Sequence, residues 1–243
     1  MSMKKDVFAP CYIEMKFSNK VIKTLERLHD GQEINISRLT GKEMNDIGLC
    51  YWYGHIVSLN YEEAVKWYKL SARKRCKKAE SNLYICYKNG TGVDIDMKEA
   101  MFWLKKAAKH NDAKAQDFLA VQYYLGENLK RNRRYAKIWF RRALDNALKD
   151  EDAVVLNVIG VRFLRGGFDY QIDREMAIKC FTPAAKKRFP LSILWLMQIY
   201  IEDNNEEMVK YLMKEYKKCV RTEPKITFII NRMYYGFTNR NNN

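Results

Sequence analysis

Four prolines and eleven glycines in 243 residues are too few for a turn-rich sandwich or barrel and suit a mostly helical chain. No stretch approaches 18 uncharged apolar residues, so no membrane-spanning helix is expected. Met1 to Phe17 is interrupted by Asp6, Pro10 and Glu14 and lacks the apolar centre of a secretion signal. The six cysteines (Cys11, Cys50, Cys76, Cys86, Cys180, Cys219) form no C-x-x-C and no regular pairing. They read as reduced thiols in a cytoplasmic setting. Acid is also in short supply: 29 Asp and Glu face 44 Lys and Arg, for a net charge of +15. Such a surplus favours nucleic acid, an acidic protein or an anionic membrane as partner and says nothing about fold. What the chain does have is a 47% hydrophobic share, enough for a real core, which excludes disorder as a global description. Length alone suggests one large domain or two small ones.

The chain repeats itself. Gly54, Ala64 and Trp67 recur 36 residues later as Gly90, Ala100 and Trp103, and 36 later again as Gly126, Ala136 and Trp139. Tyr51, Tyr87 and Tyr123 stand three places before each glycine, and Ile47, Leu83 and Leu119 seven before it. A fourth unit follows a short insertion around Lys149–Asp152, with Ile159, Phe163, Gly166, Ala177 and Cys180 in phase. A fifth is degenerate: Leu196 and Tyr200 keep the phase, and 206–211 echo 62–67. Apolar residues at −7, −3 and 0 from the glycine define one face of a helix, which the glycine ends. A second helix carries the small alanine and the large tryptophan on one face, then Ser71-Ala72 or Ala107-Ala108. One such hairpin cannot bury its apolar face alone, so the units must stack.

Leu83, Gly90-Thr-Gly-Val, Asp96, Lys98-Glu-Ala100, Trp103, Lys106-Ala-Ala108 and Ala113 together resemble a near-complete Sel1-like repeat, a relative of the tetratricopeptide repeat. The resemblance covers about 43–218, divided at about 43–78, 79–114, 115–150, 152–190 and 191–218. It implies an all-α, right-handed α-solenoid of about five helix-turn-helix repeats. Residues 1–42 read as an N-terminal cap whose one helix, Phe17 to His29, starts at Ser18 or Asn19 and stops at Gly31. Residues 219–243 read as a closing helix, Ile226 to Gly236, and a frayed tail, Asn239 to Asn243. The family's role is that of an adaptor assembling protein complexes, including bacterial and giant-virus proteins that act on host pathways. The enrichment in Lys, Asn, Ile and Tyr fits an AT-rich genome of such a source.

Chemistry is hard to find. His29, His55 and His110 are the only histidines, and no neighbouring sequence supplies a base–nucleophile pair. Gly90-Thr-Gly92 lacks the Lys-Ser/Thr of a phosphate loop and is explained by the turn between helices. No metal ligands cluster, and no cofactor or enzymatic activity is expected. An enzyme would re-enter consideration if a histidine proved to lie beside a carboxylate or thiol in one pocket.

Two surfaces remain. Second-helix ends are basic, and a solenoid aligns them along one edge. Complementing the helix dipole explains much of this pattern. It does not explain Arg73, Lys74, Arg75, Lys77 and Lys78, a run that also has the composition of a nuclear import signal. Nor does it explain the basic third loop, Lys130, Arg131, Arg133 and Arg134. These two places are the candidates for an anionic partner, nucleic acid included. The other surface is the concave one, lined by first helices. Helical-wheel arithmetic turns −1 and −8 outward with −4 flanking them: Asp46 and Tyr53, Asn82 and Asn89, Gln122 and Leu125, Arg162 and Arg165. Their character changes from unit to unit while the packing positions do not, which suits recognition of an extended peptide of a partner protein.

Overall fold

A computed structural model describes residues 17–169 and 171–219. All regular structure among the described residues is helical. Helix α1 (Asn19–His29) is capped by the Ser18 side chain, and a 3-10 turn at Ile36–Arg38 leads into helix hairpins. These are α2 (Gly41–Tyr53) with α3 (Tyr61–Arg73), α4 (Lys77–Asn89) with α5 (Met97–Lys109), α6 (Ala113–Leu125) with α7 (Arg133–Asp150), α8 (Ala153–Arg165) with α9 (Arg174–Lys186), and α10 (Pro190–Glu202) with α11 (Glu206–Cys219). The insertion near Lys149–Asp152 does not make a loop: it lengthens α7 to 18 residues where α3, α5 and α9 have 13. Segments 226–236 and 239–243 lie outside the described residues. Two compact units divide the described chain, 17–146 and 147–219, with the boundary inside α7. Within each, consecutive helices pack on one another, the local pairing of an α-solenoid.

Repeated hydrogen bonds show why the hairpins take this form. The residue before each second helix donates its amide to the carbonyl three places before the turn: Asn60 to Tyr51, Asp96 to Tyr87, Asn132 to Tyr123, Asp173 to Phe163 and Asn205 to Tyr200, at 2.8–3.0 Å. The same five side chains accept from amides inside the helix they open, so one short polar residue closes the turn and caps the helix. Returning turns are tighter. Arg75, Asn111, Glu151 and Arg188 each adopt a positive φ of 47–61°, and the next amide reaches back to Ser71, Ala107, Ala147 or Ala184.

Side-chain size sets how closely the two helices approach. Gly48 sits under the buried Tyr68 ring, where a Cβ would lie 2.6 Å from it, and Gly160 sits under Phe181, where a Cβ would lie 2.5 Å away. In the second hairpin the same register holds the reverse pair, Tyr84 on α4 and Leu104 on α5, buried in one cluster. Between neighbouring repeats the closest approach is at Gly92. It has φ +71°, and a Cβ there would stand 2.3 Å from the Tyr61 carbonyl oxygen at the start of α3. Only glycine can satisfy both the left-handed backbone and that contact.

Lysines join adjoining repeats. Lys74 Nζ donates to the Ser37 and Leu39 carbonyls of the N-terminal cap. Lys77 Nζ donates to the Asn111 carbonyl at 3.1 Å, and Lys187 Nζ to the Glu151 carbonyl at 2.9 Å. Each reaches a turn about one repeat away, where helix termini leave carbonyls without partners.

Gly92→Ala should destabilise the protein by about 1–3 kcal/mol, since it combines left-handed strain with a backbone clash. Thermal unfolding would register that as a fall of about 2–4 °C per kcal/mol for a chain of this size; an unchanged midpoint would refute the contact. Lys74→Met should cost about 1 kcal/mol and speed amide exchange over residues 36–40, whereas Arg73→Met should stay within about 0.5 kcal/mol.

Candidate binding surface

The first-helix face is graded. Ile47, Leu83, Leu119 and Ile159, at −7, are at most 3% exposed and form the packed side. Tyr53, Asn89, Leu125 and Arg165, at −1, are all exposed. At −8, Asp46 and Asn82 are half-buried and linked across α2 and α4: Asn82 Nδ2 donates to Asn45 Oδ1 at 3.1 Å, and Asn45 Nδ2 lies 3.5 Å from Asp46 Oδ1. Desolvation raises the Asp46 carboxyl above the ordinary aspartate value, the Asn45 contact opposing it.

The −4 position departs from expectation. Gln122 is 5% exposed, and its Oε1 accepts from Asn128 Nδ2 at 2.8 Å. At 100° per residue, −4 falls within about 70° of the buried stripe's centre, whereas −1 and −8 stand more than about 100° away. Arg162, also at −4, is half-buried with its guanidinium 5.0 Å from the Phe168 ring, and desolvation lowers its pKa to about 10. Both belong to the flank of the packed side and not to the free face. Missing from the expected set were Phe118 and Val158, the true −8 residues of α6 and α8, and the −5 row Leu49, Ile85 and Val121. Carrying the same wheel one turn further along each helix would have found them. In 17–146 the face is therefore an apolar band edged by Asp46, Tyr53, Asn82 and Asn89.

The basic run Arg73–Lys78 is divided. Lys74 and Lys77 hold turns, as described above, and Lys78 Nζ lies 3.6 Å from Asp112 Oδ2, a carboxylate with no exposed surface. Arg75 supplies the left-handed residue of its turn. Arg73 is exposed at the end of α3. In the third loop, Arg131 donates through Nε to the Tyr124 carbonyl at 3.1 Å, while Lys130, Arg133 and Arg134 are exposed.

One histidine does meet a carboxylate. Glu80, with no exposed surface, places Oε2 2.7 Å from His110 Nδ1 and Oε1 3.5 Å from Lys106 Nζ. The sequence signal was register: the −10 position holds Met44, Gln116 and Leu156 in other repeats, all buried, so an acid there requires cations around it. A carboxylate-oriented imidazole is half of a catalytic arrangement; the other half is an open cavity beside it. The described cleft, about 470 Å³, lies instead at the α8–α9 connection between Phe163 and Arg174 and is lined by no histidine. His55 packs near the Phe17 ring, 5.7 Å between centroids, and His29 ends α1. Among the described residues no group of three metal-ligating side chains converges. Cys50, Cys86 and Cys180 are buried, unpaired thiols whose pKa burial pushes up to about 12, far from a reactive thiolate. No described helix is long and apolar enough to cross a membrane.

Two solved structures share this architecture. A Sel1 repeat protein from Oxalobacter formigenes aligns over 82% of this chain and 85% of its own, with TM-score 0.60 and 24% identity. A protective antigen present in uropathogenic Escherichia coli strains, displaying an SLR fold, aligns over 81% of this chain with TM-score 0.54 and 23% identity. This chain covers only 40% of that antigen. At these identities the likeness concerns the fold alone. No curated protein sequence matches the chain. The Sel1 repeat family model matches residues 44–75, 79–112, 113–148 and 157–188, more than half of the sequence. On those four repeats, the chain belongs to the Sel1 repeat family.

Proposed function

We propose that the protein is a non-enzymatic scaffold that holds an extended segment of a partner protein on its first-helix face. Sel1-repeat proteins act generally as platforms for protein–protein interaction. The observation that carries the reading here is the contrast between two registers on the same helices. Position −7 is Ile or Leu in all of α2, α4, α6 and α8, while −1 runs Tyr, Asn, Leu, Arg. Packing constrains the first set; nothing in the fold requires the second to vary in that way.

The chemistry of the face suits a peptide. Leu49, Ile85 and Val121 offer half-buried apolar surface for alternate side chains. Asn82 and Asn89, two helical turns apart on α4, present amides that can both donate to and accept from peptide backbone. Rigid helices hold these groups in place, so little ordering cost falls on the scaffold when a partner binds.

Affinity purification from the native host tests this with wild type and the variant Tyr53→Ala/Asn82→Ala/Asn89→Ala. A specific partner should be retained by wild type and reduced at least about tenfold by the variant, the loss expected from removing about 1.4 kcal/mol of contact. A partner list unchanged in the variant, with its helicity intact, would remove the first-helix face as the binding surface.

A further inference from the structure

The net charge of +15 has a place in the fold that neither the turn-holding lysines nor the first-helix face explains. In 17–146 the 36-residue period aligns outward positions of α3, α5 and α7. Lys69, Lys105 and Arg141 occupy one row, and Arg73 and Lys109 another, with Arg134 at the start of α7; all six are exposed. No described carboxylate pairs with any of them. The acids exposed among them are few: Glu62, Glu99 and Asp145.

Aromatic surface lies between these cations. Phe102, one row from Lys105, is 54% exposed and stands edge-on to Trp103 at 5.1 Å. Tyr135, beside Arg134, is 51% exposed and braced by Tyr123 at 5.4 Å. Lys106 lies 4.7 Å from the Trp103 ring and Arg142 4.9 Å from the Trp139 ring, so the cations already sit against π faces. The three helices are neighbours: Trp103 packs against the α3 cluster and Trp139 against the α5 cluster.

We infer that the outer face of α3, α5 and α7 binds single-stranded nucleic acid, its six unpaired cations tracking the phosphates and Phe102 and Tyr135 stacking on bases. Rows of cations alone would suit any polyanion. Half-exposed rings held rigidly from below, each within a row of a cation, add what an unpaired base needs and a duplex does not. The face is built from second helices and is separate from the peptide-binding reading, so either can fail without the other.

Fluorescence anisotropy with a labelled 20-nucleotide single strand, at increasing KCl, reads the inference directly. Wild type should bind more tightly than about 100 μM at physiological salt, with log K falling by about 0.7 per phosphate contact against log salt. Lys69→Glu/Lys105→Glu/Arg141→Glu should weaken binding at least tenfold and flatten that slope. Phe102→Ala/Tyr135→Ala should weaken it several-fold and leave the slope unchanged. Asn82→Ala/Asn89→Ala should bind as wild type does. Absence of binding, insensitivity to charge reversal, insensitivity to ring removal, equal affinity for duplex, or capture by phosphatidylserine vesicles in its place would each overturn the inference. Circular dichroism of every variant separates these outcomes from misfolding.

Discussion

Tyr68 lying over the bare backbone of Gly48 sets the distance between α2 and α3, and the other hairpins depend on the same register. Where α8 offers Gly160, α9 fills the space with Phe181; where α4 carries the bulk as Tyr84, α5 answers with the smaller Leu104. A helix pair spaced this way still leaves apolar side chains on its outer flanks, which only the next pair can cover. Each repeat can differ in its exposed residues because its fold is secured by residues it does not expose.

The same repetition sorts the charge. A helix C-terminus leaves carbonyls without intrahelical partners, and a lysine one repeat away can reach them. Lys74, Lys77 and Lys187 do so, and Lys78 and Lys106 neutralise the buried Asp112 and Glu80. Removing either buried carboxylate's cation would leave a charge without water, which is why these lysines are part of the fold and not a free surface. The remaining positive charge faces outward from the second helices.

Much of this was legible in the sequence. The 36-residue period, the glycine that ends each first helix, and the polar cap that opens each second one are local chemistry, readable within a single repeat. So was α1, whose Ser18 cap takes up the first free amide. What was not legible depends on neighbours. Gln122 is buried because −4 lies on the shoulder of the packed stripe, an angular margin that residue type does not report. A lysine at a helix end looks the same whether it bonds a carbonyl 34 residues on or projects into solvent. The pairing of Glu80 with His110 joins residues 30 apart, and only the repeat register brings them to 2.7 Å.

Residue-resolved amine acetylation of the native protein, followed by mass spectrometry, tests this sorting of charge most directly. Lys74, Lys77, Lys106 and Lys187 should react slowly, since each ammonium is held by carbonyls or carboxylates of the neighbouring repeat or helix. Lys69, Lys98, Lys105 and Lys109 should react several-fold faster, at rates close to those of the unfolded chain. Equal rates across the two groups would contradict the division of the charge into structural and free lysines.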